Sequence, residues 1–78
     1  MSVCYYTFAP RPVKVIPSTT GYPFSDVYAR YDVVYVIVEP EKRIYVFSNG
    51  YLRGFTDYFS PNKFREDVEK IKRECRQL

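Results

Sequence analysis

The sequence predicts an α+β domain in which an antiparallel β-meander packs against one C-terminal amphipathic helix. Three observations predict this fold: a helix start at Ser60-Pro61, a hairpin dipeptide at Asn49-Gly50, and an unbroken β-branched and aromatic run over 33–38. The chain has 78 residues, of which 46% are hydrophobic, and this supplies one core. We therefore predict a single two-layer domain over residues 1–78, with a sheet of three to five strands.

The C-terminal helix has the clearest sequence signal. Ser60 suits the N-cap, Pro61 suits the first helical position, and Phe59 can pack on Phe64 across the cap. Apolar residues then recur at spacings of four and three, which predicts one buried face and a charged opposite face. This stripe comprises Phe64, Val68, Ile71, Cys75 and Leu78. The pattern predicts a helix over 61–77.

The Asn49-Gly50 dipeptide predicts a two-residue type I′ turn, because both residue types tolerate positive φ. If the two strands pair without interruption from this turn onward, Ile44 lies opposite Phe55. A glycine inside the second strand, Gly54, indicates a bulge or a close neighbour across the pair.

The remaining elements are predicted from turn and strand propensities. The 39–42 segment, with Pro40 at its second position, predicts a turn. Strands are expected near 33–39, 43–48 and 51–57, with a fourth over 3–8 and a short edge piece over 13–16. Residues 17–24 form a predicted loop, after which Ser25 or Asp26 can cap one helical turn that ends at Tyr31.

The predicted meander is apolar on both faces. If the turn at Pro40 has three residues, so that Glu39 lies opposite Arg43, one face carries Val34, Val36, Val38, Ile44, Val46 and Phe55, and the helix packs on it. The other face then carries Tyr35, Ile37, Tyr45, Phe47 and Leu52. A turn of two or four residues exchanges part of these sets, and the sequence leaves the register open. The second face has three interpretations: the N-terminal segment covers it, a protein partner or second copy binds it, or unpaired bases stack on it.

Cys4 and Cys75 lie near opposite ends of the chain and also have three interpretations. They are two small buried apolar residues, a disulfide between the first strand and the last helical turn, or a reactive thiol. Two cysteines without histidine do not make a zinc site, so we expect no metal.

The composition argues against an enzyme. The chain has no histidine, its carboxylates show no spacing typical of a catalytic pair, and its three glycines form no phosphate-binding loop. We therefore predict no catalysis and no cofactor.

No apolar run is long enough to span a membrane, and the first eight residues lack the pattern of a signal peptide, so we predict a cytoplasmic protein without a membrane partner. Scarce amides, with three Asn and Gln residues in total, follow the trend of thermophile proteins.

Two binding functions follow from these patterns. The first is a protein-interaction or inhibitory module, expected to form a homodimer through the aromatic sheet face and its charged rim. Its predicted contact residues are Tyr35, Arg43, Tyr45, Phe47, Tyr51 and Arg53. The alternative is weak, salt-sensitive nucleic-acid binding by the same aromatic sheet face together with a basic ridge on the helix, in a chain of net charge +3. That ridge consists of Arg65, Lys72, Arg73 and Arg76. Size and composition suit a small viral or mobile-element accessory protein, although no family motif is present.

Overall fold

The computed structural model describes residues 3–78 and contains a five-stranded sheet, one short 3-10 helix and one α-helix. Met1 and Ser2, which the predicted domain range includes, lie outside the described residues. The strands lie side by side in the order β4-β3-β2-β1-β5. Their bounds are β1 (Cys4–Phe8), β2 (Val33–Val38), β3 (Arg43–Ser48), β4 (Tyr51–Asp57) and β5 (Arg76–Gln77), and the helix α1 spans Pro61–Glu74.

The sheet is mixed, so the prediction of a purely antiparallel sheet was wrong. Strands β2, β3 and β4 form the predicted antiparallel meander, whereas β1 runs parallel to β2 and β5 runs parallel to β1. Residues 9–32, which we call the crossover segment, return the chain from the end of β1 to the start of β2. A parallel pair needs a long connection of this kind, while a meander needs only tight turns.

The turn between β2 and β3 contains four residues and settles the register. Lys42 adopts a positive φ of 53°, and its amide donates a hydrogen bond to the carbonyl oxygen of Glu39 at 3.1 Å. Val38 therefore lies opposite Arg43. Since paired residues share a face, the three buried valines of β2 lie on the same side of the sheet as two aromatic residues of β3. These residues are Val34, Val36, Val38, Tyr45 and Phe47.

The predicted Asn49-Gly50 turn is confirmed. Both residues have positive φ, 49° and 89°, and Ser48 lies opposite Tyr51 as a two-residue hairpin requires. A Cβ atom on Gly50 would come within 2.7 Å of the Phe24 ring, so glycine is required here by space as well as by φ. The turn thus serves both the hairpin and the packing of the crossover segment.

A β-bulge interrupts the pairing of β3 with β4, as the glycine in this strand indicated. Arg53 is the extra residue on β4, and pairing resumes one residue out of step at Gly54. Phe55 therefore lies opposite Tyr45 instead of opposite Ile44. The change places Phe55 on the opposite face of the sheet from α1.

Helix α1 begins where the sequence predicted and ends earlier. The Ser60 hydroxyl oxygen accepts a hydrogen bond from the Lys63 amide at 3.3 Å, which confirms the N-cap. The helix ends at Glu74 instead of residue 77, because Cys75 is extended, with φ −119° and ψ 165°. Residues 76 and 77 leave the helix and pair with β1 as β5.

The predicted contact between Phe59 and Phe64 is absent. The Phe59 side chain is 100% exposed, whereas the ring of Tyr58 packs edge-on against Phe64 with centroids 5.4 Å apart. The aromatic residue that packs at the helix start is therefore one position earlier than expected.

Hydrophobic clusters lie on both faces of the sheet. The helix-side cluster contains Tyr6, Ile37, Ile44, Phe64 and Val68. The opposite cluster contains Tyr28, Val34, Val36, Val38, Tyr45 and Phe47, with Ala9, Val13, Val15 and Tyr31 packed against it. The crossover segment supplies the outer layer of this second cluster. Of the three interpretations of the second apolar face, the structure thus supports coverage by the N-terminal segment.

The crossover segment has little regular structure. The predicted helical turn is a 3-10 helix that spans Asp26–Tyr28, and the Ser25 side chain makes no capping hydrogen bond. In place of the predicted edge piece over 13–16, Ile16 forms an isolated antiparallel bridge with Phe24, which in turn bridges to Tyr51. These two bridges fasten the segment to the start of β4.

Cys4 and Cys75 form a disulfide, so the interpretations as free buried residues and as a reactive thiol were wrong. The bond ties the first residue of β1 to the end of α1 across 71 positions of sequence. Beyond it, the Leu78 amide donates a hydrogen bond to the Tyr6 carbonyl oxygen at 3.0 Å. The C-terminus is thereby fixed to the sheet by a covalent bond and by strand pairing.

Across residues 3–78, no helix is both long and apolar enough to cross a membrane.

Candidate protein-interaction surface

The outer edge of β4 is open over residues 53–57. Strand β4 forms one edge of the sheet. The crossover segment pairs with its outer side only near the start of the strand. There the Leu52 amide donates a hydrogen bond to the Pro23 carbonyl oxygen at 2.8 Å. Within residues 3–78, no strand pairs with the outer side of β4 beyond Leu52. An open edge of this kind presents unpaired backbone groups to a partner.

The hydrogen-bond pattern shows which residues of β4 point outward. The Tyr58 amide donates to the Lys42 carbonyl oxygen at 3.0 Å, so the backbone of Tyr58 points inward, toward β3. Backbone groups alternate along an antiparallel strand. Thr56 therefore also points inward, while the N–H and C=O groups of Phe55 and Asp57 point to the open edge.

Phe55 supplies an exposed aromatic ring at this edge. The residue is 53% exposed, and its ring lies against Tyr45 with centroids 5.3 Å apart. The Arg43 guanidinium lies 4.7 Å from the Phe55 centroid and forms an ion pair with Asp57. Hydrogen bonds of Arg43 to the Tyr45 hydroxyl and to Asp57 raise the pKa of the guanidinium, so its charge is fixed. The ring is thereby held in place beside a permanent cation.

Arg53 is displayed at the same edge by the bulge. Its guanidinium lies 5.0 Å from the ring centroid of Tyr22, a residue of the crossover segment that is 45% exposed. Such a cation–π contact restrains a long side chain without covering its hydrogen-bond donors. We name residues 53–57 the β4 edge; it carries one exposed ring between a cation and an anion.

The structure separates the residues of the predicted protein-binding face. Tyr45 and Phe47 are buried, with 8% and 1% of their surface exposed, under the crossover segment. Tyr35 lies on the other side of the sheet and packs with the helix. Tyr51 is half-buried against Phe24. These aromatic residues therefore do not form the single exposed platform that we expected. The four-residue turn moves Tyr35 to the helix side, and the crossover segment covers Tyr45 and Phe47.

Arg43 and Arg53, the two predicted rim residues, do lie beside the β4 edge. The residue that sequence reasoning missed is Phe55, which we had placed in the helix-packed face. The only signal in the sequence was Gly54, since a bulge next to it moves every later residue of the strand to the opposite face.

A groove of about 270 Å³ runs between α1 and the helix-side surface of β3 and β4. Its lining combines apolar and charged side chains with the disulfide: Cys4, Tyr35, Ile44, Val46, Thr56, Tyr58, Asp67, Lys70, Ile71, Glu74 and Cys75. The groove thus lies beside the β4 edge, on the face opposite Phe55.

A hydrogen bond between Tyr58 and Asp67 is part of the groove lining. The Tyr58 hydroxyl donates to the Asp67 carboxylate at 2.5 Å, and Lys63 lies 3.4 Å from the same carboxylate. The hydrogen bond, and secondarily the Lys63 charge, lower the pKa of Asp67. Burial, followed by the hydrogen bond to Asp67, raises the pKa of Tyr58. The pair therefore favours a protonated phenol beside an ionised carboxylate.

Tyr58→Phe is expected to raise the pKa of Asp67 toward the usual value of about 3.9, because the main group that stabilises its charged form is removed. A carboxylate with a lowered pKa stabilises the fold above the unfolded-state pKa, and this stabilisation is lost as the pH falls below about 4. NMR titration of the Asp67 carboxyl carbon measures the effect. Lys63→Gln is the matched control and should raise the pKa less, and an unchanged pKa in Tyr58→Phe would contradict the assignment.

The predicted nucleic-acid ridge is split between two elements. Arg65, Lys72 and Arg73 lie exposed on α1, whereas Arg76 lies in β5 and pairs with Tyr5. The Lys72 ammonium forms an ion pair with Glu69 on the same helix at 3.6 Å. Arg76 therefore does not extend the ridge along the helix as we had predicted, because the helix ends before it.

Among the described residues 3–78, no group of three or more Cys, Asp and Glu side chains could hold a metal ion.

Comparison with known proteins gives no family: no protein-family model, curated protein or solved structure matches this chain. The site must therefore be interpreted from its own geometry.

Proposed function

We propose that this domain is a non-catalytic protein-interaction module that self-associates by strand pairing along the β4 edge. The observation that carries the proposal is the outward orientation of the backbone groups of Phe55 and Asp57 at an edge without a partner strand in residues 3–78. Strand addition of this kind derives affinity from backbone hydrogen bonds and specificity from the flanking side chains.

The side chains at the edge support the same proposal. Aromatic residues and arginine are residue types that contribute strongly to protein interfaces. Phe55 lies beside Arg43 and follows Arg53 by two positions on β4. An inhibitory role suits this geometry as well, since a strand that adds to a partner's sheet blocks that partner's own edge.

Nucleic-acid binding is the competing function. Its support is the exposed arginines of α1, of which Arg65 and Arg73 have no carboxylate within 4.0 Å among residues 3–78. Lys72 is already paired and Arg76 lies on another element, which leaves few phosphate contacts on one surface. We therefore prefer protein interaction.

The proposed location of the protein is the cytoplasm, and cell fractionation tests this. In the cytoplasm a persistent disulfide is typical of hyperthermophiles.

The test is light scattering coupled to size exclusion over a range of protein concentrations, at low and high salt, with and without a short fluorescent oligonucleotide. The expected result is a dimer at both salt concentrations and no shift of the oligonucleotide, because backbone pairing and apolar burial resist screening. Phe55→Pro should give a monomer. It removes the ring and an outward N–H, but no hydrogen bond to β3.

Phe59→Ala is the matched control, because it removes an exposed phenylalanine outside the strand and should leave the dimer intact. Far-UV circular dichroism of each variant checks that the sheet is retained. A dimer that survives Phe55→Pro would move the interface away from the β4 edge. A monomer that elutes with the oligonucleotide only at low salt would establish the alternative function instead.

A further inference from the structure

The sequence of the β4 edge is complementary to itself when two copies run antiparallel. Residues 53–57 read Arg-Gly-Phe-Thr-Asp, with the cation and the anion equidistant from Phe55. A two-fold axis through Phe55 sets Arg53 of one copy opposite Asp57 of the other, twice. Two strands that carried the same charge at positions 53 and 57 would repel each other in this arrangement, whereas the opposite charges of Arg53 and Asp57 attract.

We propose that the partner of the β4 edge is a second copy of this chain, paired antiparallel about Phe55 to give a continuous ten-stranded sheet. This inference rests on the proposed function and adds the geometry of the interface. Because the N–H and C=O groups of Phe55 point outward, the two central residues can exchange both of their hydrogen bonds. Their rings lie on the same face and meet at the axis.

The charged residues on each side are already restrained in positions that suit this pairing. Asp57 is held by Arg43, and Arg53 is held on the Tyr22 ring, so neither has to be ordered from a free state. In the dimer, each Asp57 accepts from Arg43 of its own chain and faces Arg53 of the other copy. The side-chain relative exposure of Asp57 is 46%, so its carboxylate is accessible to the second cation.

The neighbouring register, with the axis through Thr56, is less favourable. It sets the Phe55 ring opposite the carboxylate of Asp57 and moves Arg53 opposite residue 59, where β4 has ended. The charge pattern therefore selects the axis through Phe55.

Charge reversal tests the paired residues. Arg53→Glu should raise the dimer dissociation constant at least about tenfold, because it replaces two attractive cross-strand pairs by two repulsive ones. The double variant Arg53→Glu, Asp57→Lys restores opposite charges across the interface and should recover most of that loss. Arg65→Glu, an equal change of charge on α1, is the control and should leave the dissociation constant within about threefold of its original value.

Cysteine cross-linking tests the register. Under mild oxidation Phe55→Cys should give a disulfide-linked dimer, because a hydrogen-bonded pair holds its Cα atoms about 5.5 Å apart. Thr56→Cys should not, because in this register the two substituted positions are diagonal neighbours about 7–8 Å apart. Non-reducing electrophoresis with peptide mapping distinguishes these bonds from the Cys4–Cys75 bridge.

Three results would overturn this inference in distinguishable ways. A dimer that Phe55→Pro disrupts, but that cross-links through Thr56→Cys and not through Phe55→Cys, would leave the proposed function standing and reject the register. A dimer whose dissociation constant does not change in Arg53→Glu would reject the Arg53–Asp57 pairing. A chain that stays monomeric at every concentration would reject the inference together with the proposed self-association.

Discussion

Replacing Cys4 and Cys75 together by alanine is expected to lower the free energy of unfolding by about 4 kcal/mol. The bridge closes a loop with a sequence separation of 71, and opening so long a loop restores much conformational freedom to the unfolded chain. Alanine is preferred to serine because Cys75 packs against the helix-side cluster, where a hydroxyl would add a desolvation cost.

Urea unfolding of the oxidised protein, the reduced protein and the double variant measures this loss. The reduced protein and the double variant should unfold at similar urea concentrations, well below the midpoint of the oxidised protein. Circular dichroism at zero urea shows whether the domain still folds without the bridge. If the double variant unfolds within about 1 kcal/mol of the oxidised protein, the bridge is not an important source of stability.

The disulfide also helps the short C-terminal strand β5 to pair with β1. Strand β5 has only two residues, and a two-residue strand is not stable by itself. The bond at Cys75 holds the chain beside β1 at the point where β5 begins, so the entropy cost of that pairing is small. This explains why the helix ends at Glu74, although the apolar spacing continued to Leu78.

Features that depend on neighbouring residues were predicted correctly from the sequence. The Ser60 cap and the Asn49-Gly50 turn are each determined by a few adjacent side chains and by the φ angles that those residues tolerate. The direction of β1 was predicted wrongly, because it depends on the path of the crossover segment, and no local motif encodes that path.

The candidate site was predicted less well, because its position depends on single-residue shifts. One extra residue in the turn before β3 moved Tyr35 to the helix-packed face, and one bulged residue, Arg53, moved Phe55 out of that face. Each shift exchanges the two faces of a strand. The flanking arginines were identified because a charged residue stays at the surface in either register.

Phe47→Ala is expected to lower the free energy of unfolding by about 3–5 kcal/mol, because it opens a cavity between the sheet and the crossover segment. Phe47 is 1% exposed, and its ring packs on Tyr28 with centroids 4.9 Å apart. Urea unfolding measures the loss, and Phe47→Leu, which leaves a smaller cavity, should lose less and keep the domain folded if alanine does not.

Phe59→Ala provides the comparison, since the same change at a fully exposed phenylalanine should alter stability by no more than about 0.5 kcal/mol. The difference between the two variants measures how firmly the crossover segment covers the second face. If Phe47→Ala costs no more than Phe59→Ala, that face is open in solution and would itself be an aromatic binding platform. A loss near the expected value makes the face a core, so that a partner would bind elsewhere, as at the exposed Phe55 ring of the β4 edge.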